Sequence, residues 1–232
     1  MKILIFIPAR GGSKGIKNKN LVKIGKKKLI DYTLDTVERL RGNFFTLVST
    51  DSKKILKHCA DRGLYSSYLR PDYLSKDNST IISATFHAIK FLNSKLGYNP
   101  EAVLLLQPTS PIRSSREINL AIKEFIDMKY QSLIGVTKMR EHPQECIKLN
   151  GRKWKYLTKP SSKNQMRQKY DESYYFVDGS FYLAKTNFLK KHNAFISENK
   201  SSIYKFSEKY SIDIDDYYDL NAAKAILSKN NL

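Results

Sequence analysis

Glycine and basic residues are concentrated in one short stretch near the start of the chain, directly after an apolar run. The run extends from Ile3 to Ile7 and is typical of a buried strand. The glycines of the stretch are Gly11, Gly12 and Gly15, and its basic residues are Arg10, Lys14, Lys17 and Lys19. Glycine lets backbone N–H groups approach a ligand closely, and a cationic loop between a strand and a helix often holds phosphate in α/β proteins. The stretch predicts a phosphate-binding loop; a flexible, solvated connection is the alternative.

This stretch differs from two familiar nucleotide-binding motifs. It contains no G-x-x-x-x-G-K-[ST], and its glycines do not have the G-x-G-x-x-G spacing. Neither a P-loop nor a dinucleotide fingerprint is therefore expected here.

A second candidate site follows the apolar residues 104–106. Pro108 and Pro111 restrict the shape of this connection. Its polar residues are Gln107, Thr109, Ser110 and Arg113. A stiff loop suits hydrogen-bonding groups that must be held still, which favours a binding role. The alternative is an ordinary connection in which Ser110 begins the next helix.

Two carboxylates near the end of the chain form a third candidate site. Asp213 and Asp215 alternate with Ile212 and Ile214, so the period of a strand places both carboxylates on one face. Adjacent carboxylates repel unless a cation lies between them, and paired oxygen ligands suit Mg²⁺. The alternative is that they begin the last helix, a role that we assign to Asp216.

A fourth polar stretch, Ser49-Thr50-Asp51, ends a strand candidate and begins a helix. Here we expect Asp51 to cap that helix.

Strand and helix patterns alternate over the first 130 residues, which predicts βαβ units around a mostly parallel sheet. The strand candidates are Ile3–Ile7, Phe44–Ser49, Tyr65–Leu69, Ala102–Gln107, Tyr174–Leu183 and Ser211–Ile214. Helical spacing relates Ile30, Leu34 and Val37, then Ile82, Phe86 and Ile89, then Ile118, Ile122 and Phe125, and finally Leu220, Ala223 and Leu227. A short helix is expected at 186–191. The predicted N-caps lie in Asn78–Thr80 and at Ser114–Ser115, and the predicted helix stops are Gly42 and Gly97.

Residues 139–172 interrupt this pattern. They contain His142, Pro143, the turn-like pair Asn150–Gly151 and Trp154. We expect a hairpin and an extended arm inserted in a single domain over residues 1–232, and aromatic residues on such an arm favour a subunit interface.

Composition limits the function further. The 232 residues carry a formal net charge of +19, yet no zinc-finger spacing, RNP-type motif or basic helix is visible, so nucleic acid is the less favoured partner. Cys59 and Cys146 lack the spacing of metal ligands and are expected to be reduced thiols. Without a membrane-length apolar run or a signal peptide pattern, a cytoplasmic protein without membrane contact is expected.

In this order, the motifs resemble the acylneuraminate (CMP-sialic acid) cytidylyltransferase family over essentially the whole chain. The matching segments are 9–15 with Lys19-Asn20, Ser49-Thr50-Asp51, Leu69-Arg70-Pro71, 105–111, Arg167-Gln168 and 211–215. The resemblance implies a Rossmann-like nucleotide-diphospho-sugar transferase fold with helices on both sheet faces and a homodimer formed through the protruding arm. It also implies Mg²⁺-dependent transfer of CMP from CTP to a nine-carbon 2-keto sugar acid, with release of pyrophosphate.

At the matching positions, the resemblance also implies roles for individual residues. The nucleotide-binding residues would be Arg10, Gly12, Ser13, Lys14, Asn20, Arg70 and Thr80. The sugar-acid contacts would be Gln107, Thr109, Ser110 and Arg167, the last reaching from the arm into the partner subunit's site. Asp213 and Asp215 would bind Mg²⁺, and the catalytic residues would be Arg10, Lys19 and Asp215.

The sequence departs from the sialic-acid pattern in the half that faces the sugar. Phe176-Val177 precede Asp178-Gly179 where some N-acetylneuraminate enzymes have an arginine, and Glu145 replaces a lysine of the arm. Sialic, legionaminic and pseudaminic acids are all candidate acceptors. A deoxyoctulosonate (Kdo) or another sugar is the alternative acceptor, and a basic nucleic-acid-binding protein is the alternative of a different class.

Overall fold

The computed structural model describes residues 1–13, 15–139, 141–158, 174–206 and 211–229. Within these ranges the elements follow one another in the order β1 (Ile3–Pro8), β2 (Lys23–Ile24), β3 (Lys27–Lys28), α1 (Leu29–Glu38), β4 (Phe44–Ser49), α2 (Lys53–Ala60), α3 (Ile81–Leu96), β5 (Ala102–Leu105), α4 (Ser115–Asp127), β6 (Ser132–Lys138), β7 (Ile147–Asn150), β8 (Lys153–Tyr156), β9 (Tyr175–Lys185), α5 (Thr186–His192), β10 (Ser202–Lys205) and α6 (Tyr217–Lys229).

Six strands form the central sheet in the order β10-β6-β9-β5-β1-β4. The pairs β1–β4, β1–β5 and β6–β10 are parallel, whereas β9 runs antiparallel to both β5 and β6. The mostly parallel α/β fold predicted from the sequence is thus confirmed. In the register, Pro8 of β1 lies opposite Ser49 of β4, and the Leu106 N–H bonds the Phe6 carbonyl. The carboxyl ends of β1, β4 and β5 therefore meet at one edge of the sheet.

Apolar side chains of β1 alternate between the two faces of the sheet. Ile3, Ile5 and Ile7 pack in the layer formed with α1, α2 and α4. Leu4 and Phe6 pack in the opposite layer, with α3 and α5. All five side chains are buried, as expected for a strand covered on both faces.

A third apolar cluster joins the glycine-rich stretch to the end of the chain. It contains Ile16 and Ile24 from the first connection, Ile214 from the segment before α6, and Leu220 and Leu227 from α6. The predicted inward face of the last helix is confirmed, because Leu220, Ala223 and Leu227 are all buried. This cluster fixes the position of two candidate sites relative to each other.

One predicted strand and one predicted helix stop are wrong. Residues 65–69 have no ladder partner; the rings of Tyr65 and Tyr68 pack on Phe91 instead, so aromatic burial produced the strand-like pattern. Helix α1 ends at Glu38, and Gly42 lies in the turn before β4. By contrast, Gly97 ends α3 with φ +61, as predicted.

Both predicted N-caps are confirmed. Thr80 Oγ1 accepts a hydrogen bond from the Ser83 N–H at the start of α3, and Ser114 Oγ accepts one from the Glu117 N–H at the start of α4.

Strands β7 and β8 form the predicted hairpin, with its turn at Asn150–Gly151. Leu149 and Trp154 face each other across it and expose 67% and 56% of their surface. The rest of the predicted arm, residues 159–172, lies outside the described residues, so its role in dimerisation stays a prediction. In the part of the chain that the structure describes, no helix has the length and apolar character needed to cross a membrane.

Candidate active site

A cleft of about 550 Å³ opens at the carboxyl edge of β1 and β5. Most of the residues that the sequence singled out line it. These lining residues are Arg10, Ser13, Lys19, Asn20, Arg70, Thr80, Gln107, Thr109, Asp213 and Asp215. Gly12 lines a shallower neighbouring pocket, together with Arg10, Ser13 and residues 75–77. The glycine-rich stretch, the proline-stiffened loop and the carboxylate pair therefore border one space.

Asp51 fixes the glycine-rich stretch. Its Oδ1 accepts a hydrogen bond from the Gly11 N–H at 2.7 Å. The predicted helix cap at Asp51 is wrong, because the neighbouring Ser52 caps α2 by accepting from the Ile55 N–H. Because Ser52 provides the cap, the carboxylate of Asp51 can instead hold the glycine-rich stretch at the edge of the sheet.

Asn20 holds the other side of the same stretch. Its Nδ2 donates to the Arg10 carbonyl at 2.9 Å, and the residue is 95% buried. Asn20 thus supports the loop from within while it borders the cleft, and its role near the nucleotide stays a prediction. Asp51 and Asn20 thus hold the described part of the loop from two sides.

Arg10 faces a carboxylate that the sequence analysis did not single out. Its guanidinium donates to Asp77 Oδ1 at 2.8 Å, and both residues line the cleft. Asp77 directly precedes the predicted cap stretch Asn78–Thr80, to which the sequence analysis gave no carboxylate. No local pattern could have identified it, because the contact spans 67 positions in the sequence. Lys14, the predicted neighbour of Arg10, lies outside the described residues.

Arg70 is buried and bonded to the end of β4. Its Nε donates to Ser49 Oγ at 2.9 Å and its Nη2 to the Ser49 carbonyl, while its own N–H bonds the Thr50 carbonyl. Burial lowers the pKa of the Arg70 guanidinium, and the phenol of Tyr68 and the carboxylate of Asp51 partly oppose this. The guanidinium borders the cleft as a fixed cation.

The proline-stiffened loop brings Gln107, Pro108 and Thr109 to the cleft. Ser110, a predicted sugar contact, does not line it. Ser110 is 98% buried, and a Cβ added to Gly179 of β9 would lie 3.0 Å from its Oγ. Ser110 thus lies against β9 and not at the cleft in this structure, and its role as a sugar contact stays a prediction.

Asp213 and Asp215 both face the cleft, as the alternating pattern predicts. The predicted strand over 211–214 is absent from the structure; the segment instead bonds the proline-stiffened loop through the Ile214 N–H and the Thr109 carbonyl, 2.8 Å apart. Ile214 is fully buried between the two exposed carboxylates. Burial of one apolar residue therefore produces the alternation that a strand would also give.

Lys19 joins the glycine-rich stretch to this acidic segment. Its Nζ donates to the Ile214 carbonyl at 2.7 Å and to Asp215 Oδ1 at 3.1 Å. The side chain is 13% exposed, against 81% for the side chain of Asp215. An almost buried ammonium thus lies beside an accessible carboxylate at the wall of the cleft. Arg167, the predicted contact from the arm, lies outside the described residues.

Comparison with known proteins places the chain in a family. The family model described as Cytidylyltransferase matches residues 4–230. The chain belongs to the cytidylyltransferase family. Among its relatives, the CMP-N,N'-diacetyllegionaminic acid synthase of Legionella pneumophila is 30% identical over 99% of this chain and 98% of that protein. The pseudaminic acid cytidylyltransferase of Campylobacter jejuni is 27% identical over 100% of this chain and 98% of that protein.

Some relatives of this cytidylyltransferase family member are much longer. The N-acylneuraminate cytidylyltransferase of Streptococcus agalactiae is 29% identical over 93% of this chain, but only 51% of that protein is covered. The chain spans about half the length of such relatives. Among solved structures, CMP:2-keto-3-deoxy-manno-octonic acid synthetase complexed with CTP superimposes with a TM-score of 0.72 at 15% identity, over 99% of this chain and 100% of that one. At this identity the likeness shows the fold alone.

Proposed function

We propose that this protein transfers CMP from CTP to the anomeric hydroxyl of a nine-carbon 2-keto sugar acid and releases pyrophosphate. The observation that carries the proposal is the single cleft that brings together Arg10 and Lys19, the carboxylates Asp213 and Asp215, and the amide of Gln107. Cations suit a triphosphate, and an amide fixed beside them suits a polyhydroxylated acceptor. Such a reaction depends mainly on positioning and on neutralising phosphate charge.

Arg10, Ser13 and Lys19 form one wall of the cleft, which we call the cationic wall and assign to the triphosphate. Arg10 and Ser13 lie on the loop, and Lys19 lies deeper, beside Asp215. When pyrophosphate leaves, negative charge accumulates on its oxygens, and fixed cations stabilise that charge more in the transition state than before it. We assign Arg10 and Lys19 to this stabilisation, and Arg70 and Thr80 to the nucleoside end.

The residues of the acidic segment fit Mg²⁺. Among the described residues, no group of three or more His, Cys, Asp or Glu side chains forms a metal site, but two carboxylates at one cleft suffice for an ion that also takes ligands from substrate phosphates. Asp213 and Asp215 would hold it. When bound, Mg²⁺ would offset phosphate charge. Asp215 also faces the cleft, and we assign it to accept the proton of the attacking hydroxyl.

The acceptor end is assigned to Gln107 and Thr109. The relatives' names specify sialic, legionaminic and pseudaminic acids, and we propose an acceptor of this class. Phe176 and Val177 of β9 are 58% and 37% exposed and precede Asp178-Gly179 where some N-acetylneuraminate enzymes have an arginine. This departure from the sialic-acid pattern supports legionaminic and pseudaminic acids as acceptors beside sialic acid.

We propose further that the protein is a homodimer joined by the β7–β8 hairpin. Leu149, Trp154 and Leu157 are each more than half exposed on it. Large apolar side chains concentrated on one protruding element are typical of an interface. A second copy would bring the arm with Arg167 to the site of its partner.

The proposed function is tested by pyrophosphate release from CTP and Mg²⁺ with a panel of acceptors. The panel contains N-acetylneuraminic, legionaminic and pseudaminic acids, with Kdo and a sugar phosphate as further members. We expect turnover with at least one of the first three. Turnover only with Kdo or the sugar phosphate would support the other nucleotidyltransferase, and no turnover by folded protein would overturn the proposal.

A further inference from the structure

Arg113 clamps the loop that carries Gln107, although it does not line the cleft. Its Nη2 donates to the Gln107 carbonyl at 2.6 Å, so the side chain connects the last residue of the loop to the first. Its Nη1 donates to Thr33 Oγ1 at 3.1 Å. Thr33 is fully buried in α1, which makes this anchor part of the protein interior.

The clamped loop is also joined to the acidic segment and to β9. The Gln107 carbonyl accepts a second hydrogen bond from the Ser110 N–H at 3.3 Å, and the Thr109 carbonyl accepts from the Ile214 N–H at 2.8 Å. Gly179 of β9 lies against the loop: a Cβ added there would be 3.9 Å from Gln107 Nε2. A displacement at residue 107 would therefore be transmitted toward Asp213.

The guanidinium of Arg113 interacts electrostatically with carboxylates from two different elements. Burial lowers the pKa of its guanidinium to about 10, and the carboxylates of Asp178 and Asp213 oppose that shift. The group therefore stays cationic at neutral pH. Its Nε is sealed from solvent and lies at a small internal cavity that Asp178 and Ser211 also line. Ser211 Oγ in turn donates to the Asp178 carbonyl at 3.1 Å.

We infer that Arg113 is a positioning residue for the acceptor half of the cleft. It holds the Gln107 backbone in place by donating both to the Gln107 carbonyl and to Thr33 in the interior of α1. The inference rests on the proposed function, since Gln107 is assigned there to the acceptor. The glycine-rich stretch has its own anchors, Asp51 and Asn20. Loss of Arg113 should therefore affect the acceptor half of the cleft and leave the triphosphate half unchanged.

Three variants test this inference. Arg113→Met keeps the length of the side chain but removes every donor and the charge, and Arg113→Lys restores the charge with a single donor group. Arg116→Met is the matched control, because Arg116 is exposed in the first turn of α4. With the acceptor that the panel selects, we expect Arg113→Met to raise the acceptor KM about ten- to hundredfold, while the CTP KM changes less than about twofold. Arg113→Lys recovers part of the loss, and Arg116→Met matches the wild type.

A merely structural role would give a different pattern. If Arg113→Met raised both KM values equally, or lowered only the fraction of active enzyme, the inference would be overturned. The same follows if the acceptor KM stayed within twofold of the wild-type value.

Hydrogen exchange makes the test independent of turnover. Peptides that cover residues 106–114 should exchange faster in Arg113→Met than in the wild type and in Arg116→Met, because the Ser110 amide loses a fixed acceptor. Peptides that cover residues 3–13 should be unchanged. Unchanged exchange at 106–114 would overturn the inference even if no acceptor were found, whereas failure of the whole acceptor panel overturns only the proposed function.

Discussion

Asp215 and Asp216 are neighbours in sequence, but their carboxylates have different partners. Asp215 Oδ1 contacts Lys19 at the cleft, whereas Asp216 Oδ1 accepts from the Tyr218 and Asp219 N–H groups at the start of α6. We expect Asp215→Ala to lower kcat about a hundredfold or more with little change in stability. Asp216→Ala should lower the free energy of unfolding by about 1 kcal/mol and retain turnover. Pyrophosphate release and urea unfolding of both variants measure this.

The reverse ranking of the two variants would contradict both assignments. Near wild-type activity of Asp215→Ala would, in particular, remove Asp215 from the catalytic residues.

The ion pair between Arg10 and Asp77 opposes nucleotide binding in our proposal. To bind the triphosphate, Arg10 must give up its ion pair with Asp77. The negative charge of Asp77 then lies near the phosphates and repels them. Because both partners are more than a third exposed, the effect is small. We expect Asp77→Asn to tighten CTP binding about two- to fivefold, which corresponds to about 1 kcal/mol at most. Isothermal titration calorimetry with Mg²⁺ and CTP measures it.

Asp72→Asn is the matched control for this prediction, because Asp72 is exposed on the preceding turn and does not line the cleft. Weaker CTP binding by Asp77→Asn would show instead that Asp77 holds Arg10 ready for the nucleotide.

Cys59 makes stability depend on pH in the alkaline range. Burial, with a smaller contribution from Asp31, raises the pKa of its thiol from 9.0 to about 12. Below pH 9 the thiol is protonated in both the folded and the unfolded chain. Above it, only the unfolded chain loses the proton, so the free energy of unfolding falls with rising pH. The free energy of unfolding of the wild type, relative to that of Cys59→Ala, should fall by about 2 kcal/mol from pH 8 to pH 10.5.

Urea unfolding at the two pH values measures this difference, with Cys146→Ala as the control for loss of a thiol. A difference that stays constant with pH would show that Cys59 does not titrate differently in the folded state.

At the scale of elements, sequence patterns located the strands and the polar segments that meet at the cleft. The run Ile3–Ile7 predicted a buried strand, and the alternation of Asp213 and Asp215 with isoleucine predicted that both carboxylates face the same way; the structure has both features. The segment 211–214 is nevertheless no strand, because burial of Ile214 alone gives the same alternation. Contacts between distant segments, such as Gly11 with Asp51 and Arg10 with Asp77, depend on tertiary packing and have no local pattern.

The glycine at position 15 is required by such a tertiary contact. A Cβ at Gly15 would lie 2.3 Å from the Asp215 carbonyl oxygen, whereas a Cβ at Gly12 meets no atom within 4 Å. We expect Gly15→Ala to displace the acidic segment and to lower the free energy of unfolding by about 1–3 kcal/mol. Gly12→Ala should leave it unchanged within about 0.5 kcal/mol. Urea unfolding compares the two, and equal stability would show that residues 211–216 accommodate a methyl group without strain.

At the scale of the whole molecule, the lysines and arginines behind the net charge of +19 are spread along the sequence and not gathered in one basic segment. Some cations are paired with carboxylates, as in Lys19–Asp215 at the cleft and in Arg62–Asp35, which joins the residues after α2 to α1. This distribution favours anionic small-molecule substrates over a nucleic-acid partner. A nucleic-acid-binding protein would instead show affinity for duplex or single strands that falls steeply with added salt, without CTP binding.

The charge also affects the proposed dimer. The hairpin that carries Leu149 and Trp154 is rich in lysine, with Lys148, Lys153 and Lys155 beside them. Two such hairpins repel each other, so apolar contact must supply the association energy and added salt should strengthen the dimer. We expect Trp154→Lys to weaken dimerisation about thirtyfold or more, since buried tryptophans dominate interfaces. Sedimentation equilibrium at several salt concentrations measures both effects.

Leu120→Lys is the matched control, because this leucine is 49% exposed on α4, away from the hairpin. It should leave the dimer intact, which separates the role of the hairpin from a general effect of one more cation. If Trp154→Lys and Leu120→Lys behaved alike, the hairpin would not be the interface. A dimer that dissociated on addition of salt would show instead that ion pairs, and not Leu149 and Trp154, hold the two copies together.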